Sequence, residues 1–295
     1  MNAAALDALT AINLDDLVNA FGWQGEPVLA RLLRAVFGKA ARDFARQMLD
    51  FDRLIATRGL PEAACITGRL YVRDVRLYGA DCLPDGPAIF LANHPGLTDT
   101  LALFTALARP DLRVIALDRP FLLSLPNLSR QLLFVTDDPA ERVTLVRRVH
   151  RHLRSGGSIL TFPAGHTEPD PAVHSGAIDS LQSWTDSAGV FVRFAPETPI
   201  VPVCIRAVTW GQAARFPLVS MRRSLDDRQL LASALQLLAN VVLHARPVTV
   251  QVQVGEPIYA RQLGSTDTSV VHQAVLRGMK TLLAIKPAGS GISAL

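Results

Sequence analysis

In the run Ala88-Ile89-Phe90-Leu91-Ala92-Asn93-His94-Pro95-Gly96-Leu97-Thr98-Asp99, an apolar strand pattern ends in a turn that carries a histidine and, five positions later, an aspartate. An imidazole titrating near neutrality can take the proton from an attacking hydroxyl. A carboxylate on its other ring nitrogen fixes the tautomer and stabilises the imidazolium that forms. His94 therefore reads as a general base and Asp99 as the group that orients it. Pro95 and Gly96 break the strand, and Thr98 or Asp99 can cap the helix that follows, which leaves His94 on an exposed loop.

The spacing alone is weak, because seven histidines and an aspartate frequency of roughly 5% supply about 0.4 such pairs by chance. A second pair, His174 and Asp179, has no apolar strand running into it and reads as coincidence. Context strengthens the first pair. The strand pattern Ser158-Ile159-Leu160-Thr161 also stops abruptly in a turn, Phe162-Pro163-Ala164-Gly165-His166. Gly165 permits close backbone approach to a ligand, and His166 adds a polar group at the same rim. A third run, Ile200-Val201-Pro202-Val203-Cys204-Ile205, reads as a buried strand whose proline predicts a sheet edge or a bulge.

The elements that must position these turns follow from periodicity. Apolar runs at 73–78, 88–92, 113–116, 132–135, 158–162 and 200–205 predict strands, with helical patterns at about 99–108, 139–155 and 177–191 between them. That order predicts an α/β fold with a mostly parallel central sheet flanked by helices, and ligands in such sheets lie at the strands' C-terminal ends. A helix at 230–243, a strand at 248–254 and a helix near 270–285 complete the pattern. Ahead of it, Leu29, Leu32, Leu33, Val36, Phe37, Phe44 and Met48 recur at helical spacing. They predict an N-terminal helical segment over 1–65, followed by a catalytic domain over 66–295. Arg31, Arg34, Lys39, Arg42 and Arg46 form a basic flank, which suits either a solvated face or a surface resting on anionic lipid.

Composition narrows the classes. A chain of 295 residues that is 49% apolar can fill a large core, and a net charge of +4 is too mild for a dedicated nucleic-acid binder. Cys65, Cys82 and Cys204 lack paired metal or redox spacing, which predicts a reducing compartment. His150 and His152, two apart on a helix, point to different faces, so no metal site is expected there. No apolar stretch is long enough to span a bilayer and the N-terminus does not resemble a signal peptide. The expected location is cytoplasmic, peripheral to the inner face of the membrane.

Taken in order, these blocks resemble the glycerolipid acyltransferase family, which includes the lysophosphatidic acid acyltransferases, over about residues 70–260. The stretch from Val75 through Gly79, Leu83-Pro84 and Gly86-Pro87 is similar to that family's approach to its motif, and His94-x4-Asp99 matches the motif itself. Phe162-Pro163-Ala164-Gly165 resembles its Phe-Pro-Glu-Gly block, and the Val201-Pro202-Val203 strand its last block. The resemblance implies transfer of a fatty acyl group from acyl-CoA or acyl carrier protein to a hydroxyl of a glycerolipid-like acceptor, with no metal or bound organic cofactor. It implies His94 and Asp99 as catalytic residues, Phe162, Pro163, Gly165 and His166 as substrate-binding residues, and backbone N–H groups that hold the oxyanion.

Departures from the pattern bear on the acceptor. Ala164 stands in place of glutamate, and His166-Thr167 in place of Thr-Arg, so the arginine associated with the acceptor phosphate is missing. The second block is echoed faintly by Leu132 to Asp137, and Arg119 and Arg142 are candidates to supply the anion contact. Leu97, Phe121, Leu122 and Leu123 are candidates for an acyl channel or a lipid contact. An α/β-hydrolase would need Gly-x-Ser-x-Gly, which does not occur, and a phosphate-binding loop with lysine is also absent. The alternative is a non-catalytic lipid- or partner-binding protein of the same fold.

Overall fold

The computed structural model describes residues 3–136 and 138–295. Three helices come first: α1 (Ala3–Ala20), α2 (Pro27–Arg58) and α3 (Leu60–Gly68). Proline in the first turn suits the start of α2, and Gly59, at φ +82°, ends it and lets the chain turn directly into α3.

The remainder alternates strands and helices. In chain order these are β1 (Asp74–Tyr78), β2 (Ile89–Ala92), α4 (Leu97–Leu107), β3 (Arg113–Leu117), β4 (Leu132–Val135), α5 (Pro139–Arg154) and β5 (Ile159–Thr161). Then follow α6 (Ser187–Phe194), β6 (Ile200–Arg206), α7 (Leu225–Leu243), β7 (Thr249–Val254), α8 (Thr268–Ala284) and β8 (Ile292–Ser293). The sheet order is β4-β3-β5-β2-β6-β7-β1-β8, parallel except at β6–β7 and β1–β8. The mostly parallel α/β sheet expected from the sequence is therefore present.

Strand alternation divides the core between the two faces of the sheet. Phe90, Val201, Val203, Ile205, Val250 and Val252 pack with α2, α3 and α4 on one face. Ile89, Leu91, Ile159, Ile200 and Cys204 pack with α5, α6 and α8 on the other. Burying each such large side chain contributes about 1.5–3 kcal/mol, so β2, buried on both faces, is a rigid platform for the turn that follows it. A smaller cluster, including Phe21, Leu33 and Leu231, joins α1 and α2 to α7.

One expectation is narrowed and two are corrected. Of the edge or bulge expected at Pro202 the edge is excluded, since β6 pairs with β2 on one side and β7 on the other, while a bulge is present: pairing runs to Val203–Val254 and resumes at Ile200–Ile258 with one extra residue opposite Pro202. The missing N–H falls in that interruption of the ladder, where the Pro202 carbonyl accepts the Gly255 N–H at 2.9 Å. The helix expected at 177–191 is two pieces, a 3-10 segment (Ser175–Ser183) and α6. Between them Trp184 and Thr185 hydrogen-bond out of the helix, to the Glu168 carboxylate and to the Pro163 carbonyl. Lastly, the apolar residues of α2 do not share one face. Leu33, Phe44 and Met48 are buried, whereas Leu29, Leu32 and Val36 join Val28 on the outer side.

The basic flank of α2 is largely occupied within the chain. Arg34 pairs with Asp15 and Arg42 with Asp7, both at 2.5 Å, tying α2 to α1, and Lys39 and Arg46 share Asp43. Exposed pairs of this kind contribute about 0–1 kcal/mol each. Among the described residues no helix is long and apolar enough to cross a membrane.

Candidate active site

Three loops leave the C-terminal ends of β5, β2 and β6, which are neighbours in the sheet. The β2 loop begins with Asn93, whose side chain is 3% exposed and acts as a splint to β6: it donates to the Ile205 carbonyl and accepts from the Ile205 N–H, both at 2.8 Å. This fixes the chain just before His94. Helix α4 starts at Leu97 with Gly96 as its N-cap, so neither Thr98 nor Asp99 holds the cap position expected for them. Asp99, in the third position of the helix, reaches back to accept the Gly96 N–H at 2.8 Å, a capping-box geometry that also turns its carboxylate toward the preceding loop.

That carboxylate meets the histidine. Asp99 Oδ2 lies 2.8 Å from His94 Nδ1, and Oδ1 accepts the Thr100 hydroxyl at 2.9 Å. Asp99 is fully buried, while the His94 side chain is 28% exposed, so the histidine sits in a half-buried recess instead of on the open loop expected. One face of its ring packs against Phe162, with centroids 4.5 Å apart. Desolvation pushes the imidazole pKa down, but the charge and hydrogen bond of Asp99, with Glu168 adding to them, outweigh it. The result lies above the ordinary 6.5.

The β5 loop supplies the facing wall. Phe162 and buried Pro163 lead into an exposed turn in which Gly165 takes φ +71°, and His166 Nδ1 lies 2.8 Å from the Ala164 carbonyl. His94, Asp99 and Phe162 are thus brought together, with Pro163, Gly165 and His166 on the adjoining turn. The two arginines are placed differently. Arg119 follows β3, exposed and electrostatically close to Asp16 of α1. Arg142 lies on α5, where its Nε donates to the Thr136 carbonyl at 3.2 Å. With neighbouring strands about 4.8 Å apart, the ends of β3 and β4 stand roughly 10 and 14 Å from that of β2. Of the channel candidates, Phe121 stacks on Phe44 and Leu122 packs on the core, while Leu123 is exposed. Asp137 and the side chain of Leu97 lie outside the described residues. His174 and Asp179 make no hydrogen bond with each other among the described residues, and His174, partly buried, is pushed below the ordinary imidazole pKa.

Sequence reasoning missed a buried polar layer beneath these loops. Glu168, fully buried, accepts from the His94 N–H at 3.0 Å, from the Ser180 hydroxyl at 2.8 Å and from the Trp184 indole at 2.8 Å. Asp170, also fully buried, accepts from the N–H groups of Ala207, Val208 and Thr209 at 3.0, 2.7 and 2.8 Å and so shapes the β6 loop, where Ala207 takes φ +57°. Burial pushes both carboxyls up despite these donors. Gln229 of α7 bridges the loops by donating to the Pro95 carbonyl and the Thr209 hydroxyl. The sequence singles out neither Glu168 nor Asp170, which lie just past the Phe162–His166 turn. The only available signal was that the two acids directly follow a strand-ending block.

The arrangement presents one imidazole, oriented from Nδ1 by a buried carboxylate, with Nε2 in no hydrogen bond among the described residues. It can remove a proton from a bound hydroxyl and return it to a leaving group. Among the described residues no three metal-ligating side chains converge.

Residues 74–206 match the acyltransferase family model, a span that includes His94, Asp99, the Phe162 turn and all of β6. A solved structure of the 1-acyl-sn-glycerophosphate (LPA) acyltransferase from Thermotoga maritima is similar at 19% identity and a TM-score of 0.41, over 96% of this chain and 99% of that one. No curated protein matches.

Proposed function

We propose that the chain, whose residues 74–206 match the acyltransferase family model, moves a fatty acyl group from a thioester, acyl-CoA or acyl carrier protein, to a hydroxyl of a glycerolipid-like acceptor. The observation that carries this reading is the 2.8 Å contact between His94 Nδ1 and buried Asp99 at the end of a central parallel strand. His94 Nε2 takes the acceptor's proton as its oxygen attacks the thioester carbonyl. The tetrahedral intermediate then collapses, the C–S bond breaks, and the departing thiolate takes the proton from the imidazolium. Asp99, already aligned, stabilises that imidazolium without reorganising.

Donors for the oxyanion come from the turn after β5 in this reading. The N–H groups of His94 and Gly96 are engaged by Glu168 and Asp99, and that of Gly165 by the Phe162 carbonyl, which leaves those of Ala164, His166 and Thr167 as the candidates on that turn. Phe162 and Pro163 form the apolar wall beside the thioester, and Gly165 keeps the turn open. The acceptor is left broad. His166 offers a polar contact at the rim, and Arg119 is better placed than Arg142 to meet a phosphate, since it is one strand nearer and Arg142 is turned back to Thr136.

A peripheral position on the cytoplasmic membrane face belongs to the same proposal. Val28, Leu32 and Val36, spaced four apart on α2, are 69%, 59% and 61% exposed and form an apolar stripe with no partner in the fold among the described residues. Such a stripe beside basic residues suits the interface of a bilayer. The test of the chemistry is thiol release from acyl-CoA with and without a lysophospholipid acceptor. Release that depends on the acceptor supports the reading; equal release without it indicates thioester hydrolysis and overturns it.

A further inference from the structure

We propose that Glu168 is the positioning residue of the catalytic loop, holding both backbone polar groups of His94 and so setting where the imidazole stands. The inference rests on the acyl-transfer reading but concerns a residue outside every block that suggested it.

The contacts are reciprocal. Glu168 Oε2 accepts the His94 N–H at 3.0 Å, and the Glu168 N–H donates to the His94 carbonyl at 2.7 Å. One residue from the β5 loop therefore satisfies both main-chain groups of a residue 74 positions earlier, in the β2 loop. No strand ladder reaches there, since β2 ends at Ala92 and β5 at Thr161. The carboxylate's other oxygen is held by the Ser180 hydroxyl and the Trp184 indole, so it cannot swing away from His94 without abandoning two bonds.

The geometry divides the work around the histidine. Asp99 fixes the ring through Nδ1, Phe162 packs against its face, and Glu168 fixes the main chain from which the ring projects. The charged groups facing His94 are Asp99 from α4 and Glu168 from the β5 loop, and both favour the protonated ring. Glu168 lies four positions after Ala164, where the block resembled in sequence carries a glutamate. Asp170, two residues on, instead shapes the β6 loop and does not touch His94.

The test is Glu168→Gln, with Leu153→Ala, a buried residue at the end of α5 that leads into the start of β5, at the opposite end of the sheet from the site loops, as a variant weakened in stability only. A glutamine can offer its single oxygen to His94 or to the Ser180 and Trp184 pair, not to both. Expected is a fall in kcat on the order of 10²-fold from loss of alignment, with both KM values nearly unchanged. The His94 ring, followed by NMR, titrates at lower pH than in the native chain, while Leu153→Ala leaves kcat and that titration in place. A folded Glu168→Gln with native kcat and native His94 titration overturns the proposal. Should the variant not fold, the native chain serves: the His94 amide resonance must move in step with the Glu168 carboxyl as pH falls, and independent movement overturns the proposal equally. The NMR readouts do not depend on turnover, so a chain without acyl transfer would refute the functional reading and leave this one standing or falling on its own.

Discussion

Asp99→Asn separates the charge of the orienting group from its shape. Asp99 Oδ2 accepts from the His94 ring and from Gly96 N–H, each at 2.8 Å, and Oδ1 accepts from the Thr100 hydroxyl. An asparagine that keeps its oxygen at the Oδ2 position preserves the first two bonds. Its amide then faces Thr100, whose hydroxyl can rotate to accept. Tautomer and loop survive, and what is lost is the negative charge opposite the imidazolium. Two unit charges about 4 Å apart at an effective dielectric near 20 interact by about 4 kcal/mol. If most of that is realised only when the ring is protonated in the transition state, kcat falls about 10²- to 10³-fold.

Stability should change little at neutral pH, because removing a fully buried carboxylate also removes its desolvation cost. The pH dependence has a definite sign. His94 has a folded pKa above 6.5, so its contribution to stability is present below 6.5 and is lost as pH rises through the folded value. In Asp99→Asn that contribution shrinks, and the acid limb of kcat/KM moves to lower pH. Steady-state transfer rates across pH, with thermal denaturation as a control for folding, decide the matter. A folded variant within about threefold of native kcat, with an unmoved acid limb, would refute the assignment of His94 and Asp99 as a working pair.

Asn93→Ala strips two buried bonds from Ile205 and leaves its N–H and carbonyl unpaired; urea denaturation should register a loss of about 2–4 kcal/mol, and a loss under about 1 would contradict the splint role. Gly79→Ala places a methyl group against the Val254 carbonyl at φ +68° and should cost about 1–3 kcal/mol in the same measurement, whereas a neutral result would mean the β1–β7 edge relaxes freely. Replacing Val28, Leu32 and Val36 together by serine should weaken co-sedimentation with anionic vesicles while altering stability little, since all three side chains are largely exposed. Unchanged vesicle binding would remove α2 from the membrane account.

What was legible in the sequence was whatever periodicity and turn chemistry encode. The runs at β2, β5 and β6 announced buried strands because apolar β-branched residues cluster there, and Pro95-Gly96 and Pro163 with Gly165 marked where they stop. Hence His94, Asp99 and Phe162 could be singled out before any coordinates. What was not legible shares one cause: it concerns pairing between distant segments. Pro202 signals a missing donor, but whether an edge or a bulge meets it depends on the distant pairing with the segment after β7. The α2 leucines share a helical period, yet which of them meet the core depends on where α7 and the sheet lie. Glu168, Asp170 and Gln229 are polar residues in or beside loops, and nothing local distinguishes a buried hub from a solvated turn.

The central claim is that His94 drives acyl transfer. Its most direct test supplies radiolabelled acyl-CoA and acyl carrier protein donors to the native chain and to His94→Ala in the presence of a total lipid extract. The account predicts labelled lipid from the native chain and at least about 10³-fold less from the variant, with the product's mass identifying the acceptor. Label transferred equally by both forms, or by neither where a control acyltransferase succeeds, would contradict it.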